Sequence, residues 1–172
     1  MMGSGKSTLA PLLAAAWSVK WVDLDRRIER IFGATIPELF AVGEASFRRR
    51  EAAALRSLLG EPGVRARTLI VATGGGAVLD PSSRALMFET GAIIHLQVEV
   101  DELVARLCGA DGGRPLLAGD PQKLRDRLTV LLSARQQVYA CADLVVDGGG
   151  SPQDVLSRVV TATSGGKARH DE

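Results

Sequence analysis

The sequence predicts an α/β protein in three layers, a parallel sheet with helices on both faces. Three observations carry this. Short apolar stretches such as Leu69–Ala72 alternate with helical stretches along the chain, and strands that are apolar throughout belong to sheets covered on both sides. Acidic and glycine residues fall just after those strands, Asp23 and Asp25 after one and Gly74–Gly76 after the next. That is where open parallel sheets bind ligands. The chain also opens on MMGSGKSTLA, a glycine-rich turn running into a helical stretch, which suits phosphate binding.

The elements follow in order. Lys6 to about Trp17 reads as a helix, apolar on most sides and so buried; Lys20–Leu24 reads as a strand ending in acid. Asp25–Phe32 is a short helix stopped by Gly33, and Thr35 with Glu38 has the spacing of a capping box that starts another. Glu44–Leu59 is a longer helix, broken by Gly60-Glu61-Pro62-Gly63. Leu69–Ala72 is a strand, Pro81–Glu89 a helix, Ala92–Leu96 a strand and Asp101–Cys108 a helix. Gly109 to Asp120 is glycine-rich and too long for a simple connection, so it reads as a lid. Pro121–Val138 is a helix, Leu144–Val146 a strand and Pro152–Val160 a helix. The expected domain covers 1–163, with 164–172 as a polar, disordered tail.

Composition narrows the function. A chain of 172 residues with 46% hydrophobic content can bury a core of its own. Lys plus Arg is 21 against 20 for Asp plus Glu, a balance that argues against bulk nucleic-acid binding. Arginine greatly outnumbers lysine, which favours gripping carboxylates or phosphates at discrete points. Cys108 and Cys141 form no zinc or disulfide pattern and read as small apolar fillers. No apolar run approaches the ~20 residues that span a membrane, and a cytoplasmic enzyme is expected. His95 reads as core rather than catalytic, and Trp17 and Trp21 as packing residues.

The opening stretch carries the second half of the pattern G-x-x-x-x-G-K-[ST] in Gly5-Lys6-Ser7. Such glycines turn backbone N–H groups onto phosphate oxygens, the lysine reaches the β- and γ-phosphates, and the hydroxyl holds Mg²⁺. The plain alternative is a glycine-rich turn before a helix. VDLDRRIE sets two carboxylates two apart at a strand end, where an N-cap would also want aspartate. GEASFRRRE sets three arginines in a row on a helix, and a solvated face is expected for two of them. ATGGG after a buried strand allows close approach to the backbone, or simply a tight turn.

Taken together, GSGKST, DLDRRIE, GEASFRRRE, TGGG, GRPLL and the pair Arg135 and Tyr139 resemble the shikimate kinase family, in family order from Met2 to about Val160. The resemblance implies a P-loop kinase fold like that of nucleoside-monophosphate kinases. It implies ATP-dependent phosphorylation of the shikimate 3-hydroxyl, on the route to chorismate and the aromatic amino acids, with Mg²⁺ and by a monomer. On that resemblance, Gly3, Ser4, Gly5, Lys6, Ser7 and Thr8 bind ATP, and Ser7 and Asp23 serve the metal. Asp25 is the substrate-hydroxyl ligand and candidate base. Arg48 and Arg135 bind the substrate carboxylate, and Gly74, Gly75 and Gly76 form the backbone wall of its pocket. Arg114 is the lid arginine on the phosphates, and Arg106 covers the adenine. Arg49 and Arg50 are expected to be solvated. Two rivals are another small-molecule kinase of this fold, such as a gluconate or nucleotide kinase, and a non-catalytic nucleotide-binding relative.

Three features depart from that pattern. Pro11 falls inside the first helix, beyond the turn that tolerates it. The stretch Asp147–Pro152 should border adenine but contains no arginine. The pattern's first glycine would lie one residue before Met1 and the strand carrying it before that, so the central strand is expected to be missing. The native start is then expected about 8–12 residues earlier, from ordinary strand length. The strands ending at Ala72 and Leu96 should lack their shared neighbour, and the glycine loop should lose its anchor.

Overall fold

The computed structural model describes residues 1–61, 64, 69–108 and 120–165. Helix α1 (Lys6–Ala16) leads to strand β1 (Lys20–Asp23), then α2 (Leu24–Phe32), α3 (Ile36–Ala41) and α4 (Glu44–Leu59). Strand β2 (Leu69–Ala72), a 3₁₀ turn (Ala77–Leu79), α5 (Pro81–Thr90), β3 (Ile94–Gln97) and α6 (Val100–Cys108) follow. The chain closes with α7 (Pro121–Tyr139), β4 (Leu144–Asp147) and α8 (Pro152–Gly165).

Local chemistry sets many of these boundaries. Asp23 ends β1 and caps α2, accepting from the Arg26 N–H at 3.2 Å. The first strand therefore stops at Asp23, and Leu24 is already helical. Gly33, at φ 65°, closes α2 in the left-handed conformation that favours glycine. Thr35 and Glu38 form the capping box that starts α3. Asp80 caps α5 by accepting from the Ser83 N–H at 2.8 Å. Pro11 does lie within α1, which continues through it. Helix α8 runs to Gly165, so Ser164 is helical rather than the first residue of a tail. Cys108 and Cys141 are both exposed, not packed as fillers.

The four strands form two parallel pairs. β1 runs beside β2 from Lys20↔Leu69 to Asp23↔Ala72, and β3 runs beside β4 from Ile94↔Leu144 to Gln97↔Asp147. Among the described residues no ladder joins β2 to β3. Side chains join the pairs instead. Leu9 and Leu13 of α1 pack with Leu96, Val146, Val155 and Val159, and Ile70 of β2 lies against the same cluster. A second core gathers α2, α3 and α4 around Leu24, Ile28, Phe47 and Leu55. A third gathers α6 and α7 around Leu103, Leu107, Leu128 and Tyr139, and includes Met1.

Candidate active site

The glycine loop is in place. Gly3 and Gly5 adopt φ of 76° and 85°, and Gly5 caps α1. These are backbone conformations that side-chain-bearing residues rarely hold. The loop is anchored from α6: a Cβ on Gly3 would lie 3.1 Å from Leu107, and the Arg106 Nη1 donates to the Gly3 carbonyl at 3.3 Å. The expectation of an unanchored loop is therefore not met, because α6 supplies the hold. Ser4 is buried and donates to the Met1 carbonyl at 2.8 Å. Lys6 folds over the loop, its Nζ donating to the Met1 carbonyl at 2.5 Å and to the Ser4 Oγ at 2.9 Å. Ser7 and Thr8 are exposed in the first turn of α1. The loop thus presents a helix N-terminus, a lysine and two hydroxyls to one region, the donors that a phosphate group requires.

A second cluster assembles around an acid that sequence reasoning passed over. Glu51 of α4 is buried, 3% exposed, and its Oε1 has no hydrogen-bond partner among the described residues. Its Oε2 accepts from the Arg48 Nη1 at 2.7 Å. Burial pushes the Glu51 carboxyl above the usual glutamate range; the Asp25 charge adds to this, while Arg48 and Arg135 oppose it. Asp25, Arg48 and Arg135 therefore all act on this one carboxylate. They come from α2, α4 and α7. The signal for Glu51 was its place three residues after Arg48, where helical side chains meet, but a run of three arginines and a glutamate also reads as surface.

The three glycines explain how these groups fit. A Cβ on Gly74 would stand 2.7 Å from the Glu51 Oε1 and 3.2 Å from the Asp25 Oδ1. One on Gly75 would stand 2.9 Å from the Met1 Cα, and one on Gly76 would overlap the Arg48 guanidinium. The close approach read from ATGGG is real, and the approaching groups include the site's own side chains. Arg48 is also held by Glu44 at 3.2 Å and lies near the Phe40 and Phe47 rings, 5.5 and 5.3 Å from their centroids. Arg49 is exposed as expected, but Arg50 is half-buried: it donates to Ser46 at 2.8 Å and lies over the Phe32 ring. Its helix turn faces α2, which is why it is not solvated.

Tyr139 of α7 is another residue the sequence marked only as part of a motif. Its hydroxyl donates to the Gly75 carbonyl at 2.7 Å, and its ring stacks on His95 with centroids 4.7 Å apart. His95 is half-buried rather than deep core. Burial pushes its imidazole down to about 4, with the Met1 amino group and Lys6 lowering it further. The Met1 amino group is likewise pushed down to about 4, by burial first and then by Lys6 and Arg135. Burial leads both shifts, and the smaller part comes from positive charge at Lys6 and Arg135, which would also favour an anion.

The glycine-rich loop 147–151 follows β4. The Arg106 Nη2 donates to the Gly148 carbonyl at 2.8 Å and the Gly150 carbonyl at 3.2 Å. Arg158 of α8 donates to the Gly149 carbonyl at 2.8 Å and pairs with Asp147 at 3.3 Å. The loop lacks an arginine of its own, and two arginines reach it from neighbouring helices. Arg114 and the lid stretch 109–119 lie outside the described residues. No group of three or more His, Cys, Asp or Glu among the described residues could hold a metal ion.

A family profile described as "Shikimate kinase" matches residues 2–164. A shikimate kinase from Bordetella pertussis (strain Tohama I) is 44% identical over 155 residues, 88% of this chain and 69% of that protein. The crystal structure of the shikimate kinase from Bacteroides thetaiotaomicron superposes with a TM-score of 0.86 at 30% identity, covering 95% of this chain and 94% of that one. The structure of the Acinetobacter baumannii shikimate kinase in complex with shikimate gives 0.84 at 30% identity, covering 98% and 91%. An α/β architecture with a glycine loop, paired arginines and a triple-glycine wall meets that likeness over nearly its whole length: the chain belongs to the shikimate kinase family.

Proposed function

We propose that the protein transfers the γ-phosphoryl group of ATP to the 3-hydroxyl of shikimate, giving shikimate 3-phosphate for aromatic amino-acid biosynthesis. The observation that carries this reading is the convergence of Asp25, Arg48 and Arg135 on Glu51 beside Gly74–Gly76. Two arginines can fork onto a carboxylate, and an aspartate beside them can orient a hydroxyl. Phosphoryl transfer asks mainly for in-line placement and charge neutralisation. Lys6 swings from the Met1 carbonyl to the β- and γ-phosphates, the loop N–H groups hold the remaining oxygens, and Asp25 takes the hydroxyl proton. Arg114, outside the described residues, would add a second cation over the phosphates.

The residues present fit Mg²⁺. Ser7 is exposed at the N-terminus of α1, and Asp23 is fixed at the end of β1 by its bond to the Arg26 N–H. Both are oxygen donors, and Mg²⁺ bound to phosphates needs only one or two protein ligands. When bound, the ion would neutralise phosphate charge. The reading includes a monomer, and a reaction drawing on ATP suits the cytoplasm. No helix among the described residues is long and apolar enough to cross a membrane.

The test is ATP consumption with and without shikimate, using gluconate and nucleoside monophosphates as alternative acceptors. Turnover should depend on shikimate. Asp25→Asn should keep nucleotide binding and lose most turnover, on the order of 10²–10⁴-fold, the range of a general base. Near-normal turnover in that variant would move the base elsewhere, and equal turnover without shikimate would overturn the substrate.

A further inference from the structure

We propose that Glu102 is a positioning residue for the nucleotide, spacing the glycine loop and the 147–151 loop so that one nucleoside triphosphate bridges them. The inference rests on the kinase reading and names a residue that reading does not use. Glu102 and Arg106 stand one turn apart on α6, with the Arg106 Nη2 donating to the Glu102 Oε1 at 2.6 Å. An exposed pair at that spacing ordinarily contributes little. This one is half-buried and does not end at the pair. The same Oε1 accepts from the Gly150 N–H at 3.0 Å, 48 residues further along the chain. The other carboxylate oxygen approaches Gly149 so closely that a Cβ there would stand 2.8 Å away. Arg106 in turn donates to the carbonyls of Gly148, Gly150 and Gly3.

Glu102 is thus the anionic centre of a node joining three segments: α6, the glycine loop at the phosphate end and the glycine-rich loop after β4. Without the carboxylate, Arg106 loses the partner that aims it. Gly150, at φ 83° and preceded by two glycines, loses the bond that holds its N–H. The two loops then keep their folds but not their spacing. Nucleotide affinity should fall while the acceptor side, built on α2, α4 and α7, is untouched.

Binding of MgADP to the full chain without shikimate, by titration calorimetry, measures this directly. Glu102→Ala should weaken MgADP on the order of tenfold, a loss typical of charge-assisted hydrogen bonds. The KM for ATP should rise in step, with the KM for shikimate within about twofold. Glu102→Gln keeps an acceptor oxygen at the same place and should recover most of the affinity. Unchanged MgADP affinity in Glu102→Ala, or parallel rises in both KM values, would overturn the inference. Failure of the unsubstituted chain to bind MgADP would instead overturn the kinase reading, and this inference with it.

Discussion

Arg48 and Arg50 stand two positions apart on one helix, yet their surroundings divide them. Arg48 reaches the Gly76 backbone and the Glu51 carboxylate, while Arg50 packs on Ser46 and Phe32. In a shikimate-dependent kinase assay, Arg48→Ala should cost the equivalent of about 2–5 kcal/mol in kcat/KM, the scale for breaking a desolvated charge pair. Arg50→Ala should cost much less, and equal losses in two folded variants would refute the assignment. Glu51 makes a separate prediction about pH. Its carboxyl is raised above the ordinary 4.5, chiefly by burial. The fold therefore favours its protonated form, and the stability this contributes is full below 4.5 and lost as pH rises through the raised value. Glu51→Gln removes that dependence. Thermal melts should show the variant gaining on the parent as pH climbs from about 4 to 8, and a constant difference would contradict it. The arginines could be read from the sequence because their type and order match a family pattern. Glu51 could not, because its burial is created by the missing side chain of Gly74 across the site.

At the scale of elements, α7 presents Arg135 and Tyr139 one turn apart, on the same face. The first serves the substrate carboxylate in the proposed function, and the second holds the Gly75 carbonyl that shapes the wall beside it. Tyr139→Phe keeps the stack on His95 and removes the hydroxyl with its bond to Gly75 and its weaker contact with the Met1 Sδ at 3.9 Å, a change of about 1 kcal/mol. The KM for shikimate should rise several-fold, with the KM for ATP and the melting temperature nearly unchanged. Equal shifts in both KM values would assign the hydroxyl a structural role only. Element ends were legible where a cap marks them. Thr35 and Glu38 start α3, and Gly33 stops α2, as the sequence indicates. Strand ends were less legible, because pairing decides them. β3 runs Ile94–Gln97 rather than Ala92–Leu96 since its ladder partner is Leu144–Asp147. α8 outlasts its expected end at Val160, and the Thr163 and Ser164 hydroxyls that argued against helix there are satisfied by carbonyls of the preceding turn.

At the scale of the whole molecule, the alternation of strands and helices was legible, and among the described residues no ladder joins β2 to β3. The core that spans both strand pairs was not, since it depends on which faces of α1 and α8 meet. Main-chain amides of β2 and β3 outside the two ladders should exchange with solvent faster than those within them, by on the order of tenfold or more. Residue-resolved hydrogen exchange tests this, and uniform protection across all four strands would show that the ladders do not set it. The division has a mechanical meaning. Asp25 and Gly74–Gly76 ride on one strand pair, and the 147–151 loop rides on the other. A ladder is stiff because each hydrogen bond has a fixed length and direction, whereas packed methyl groups can slide over one another. In-line transfer loses about 10²-fold for a displacement near 1 Å. The compliance of the greasy joint that Leu9, Leu13, Ile70, Leu96 and Val146 make between the two pairs thus bears on how truly donor and acceptor are aimed at each other.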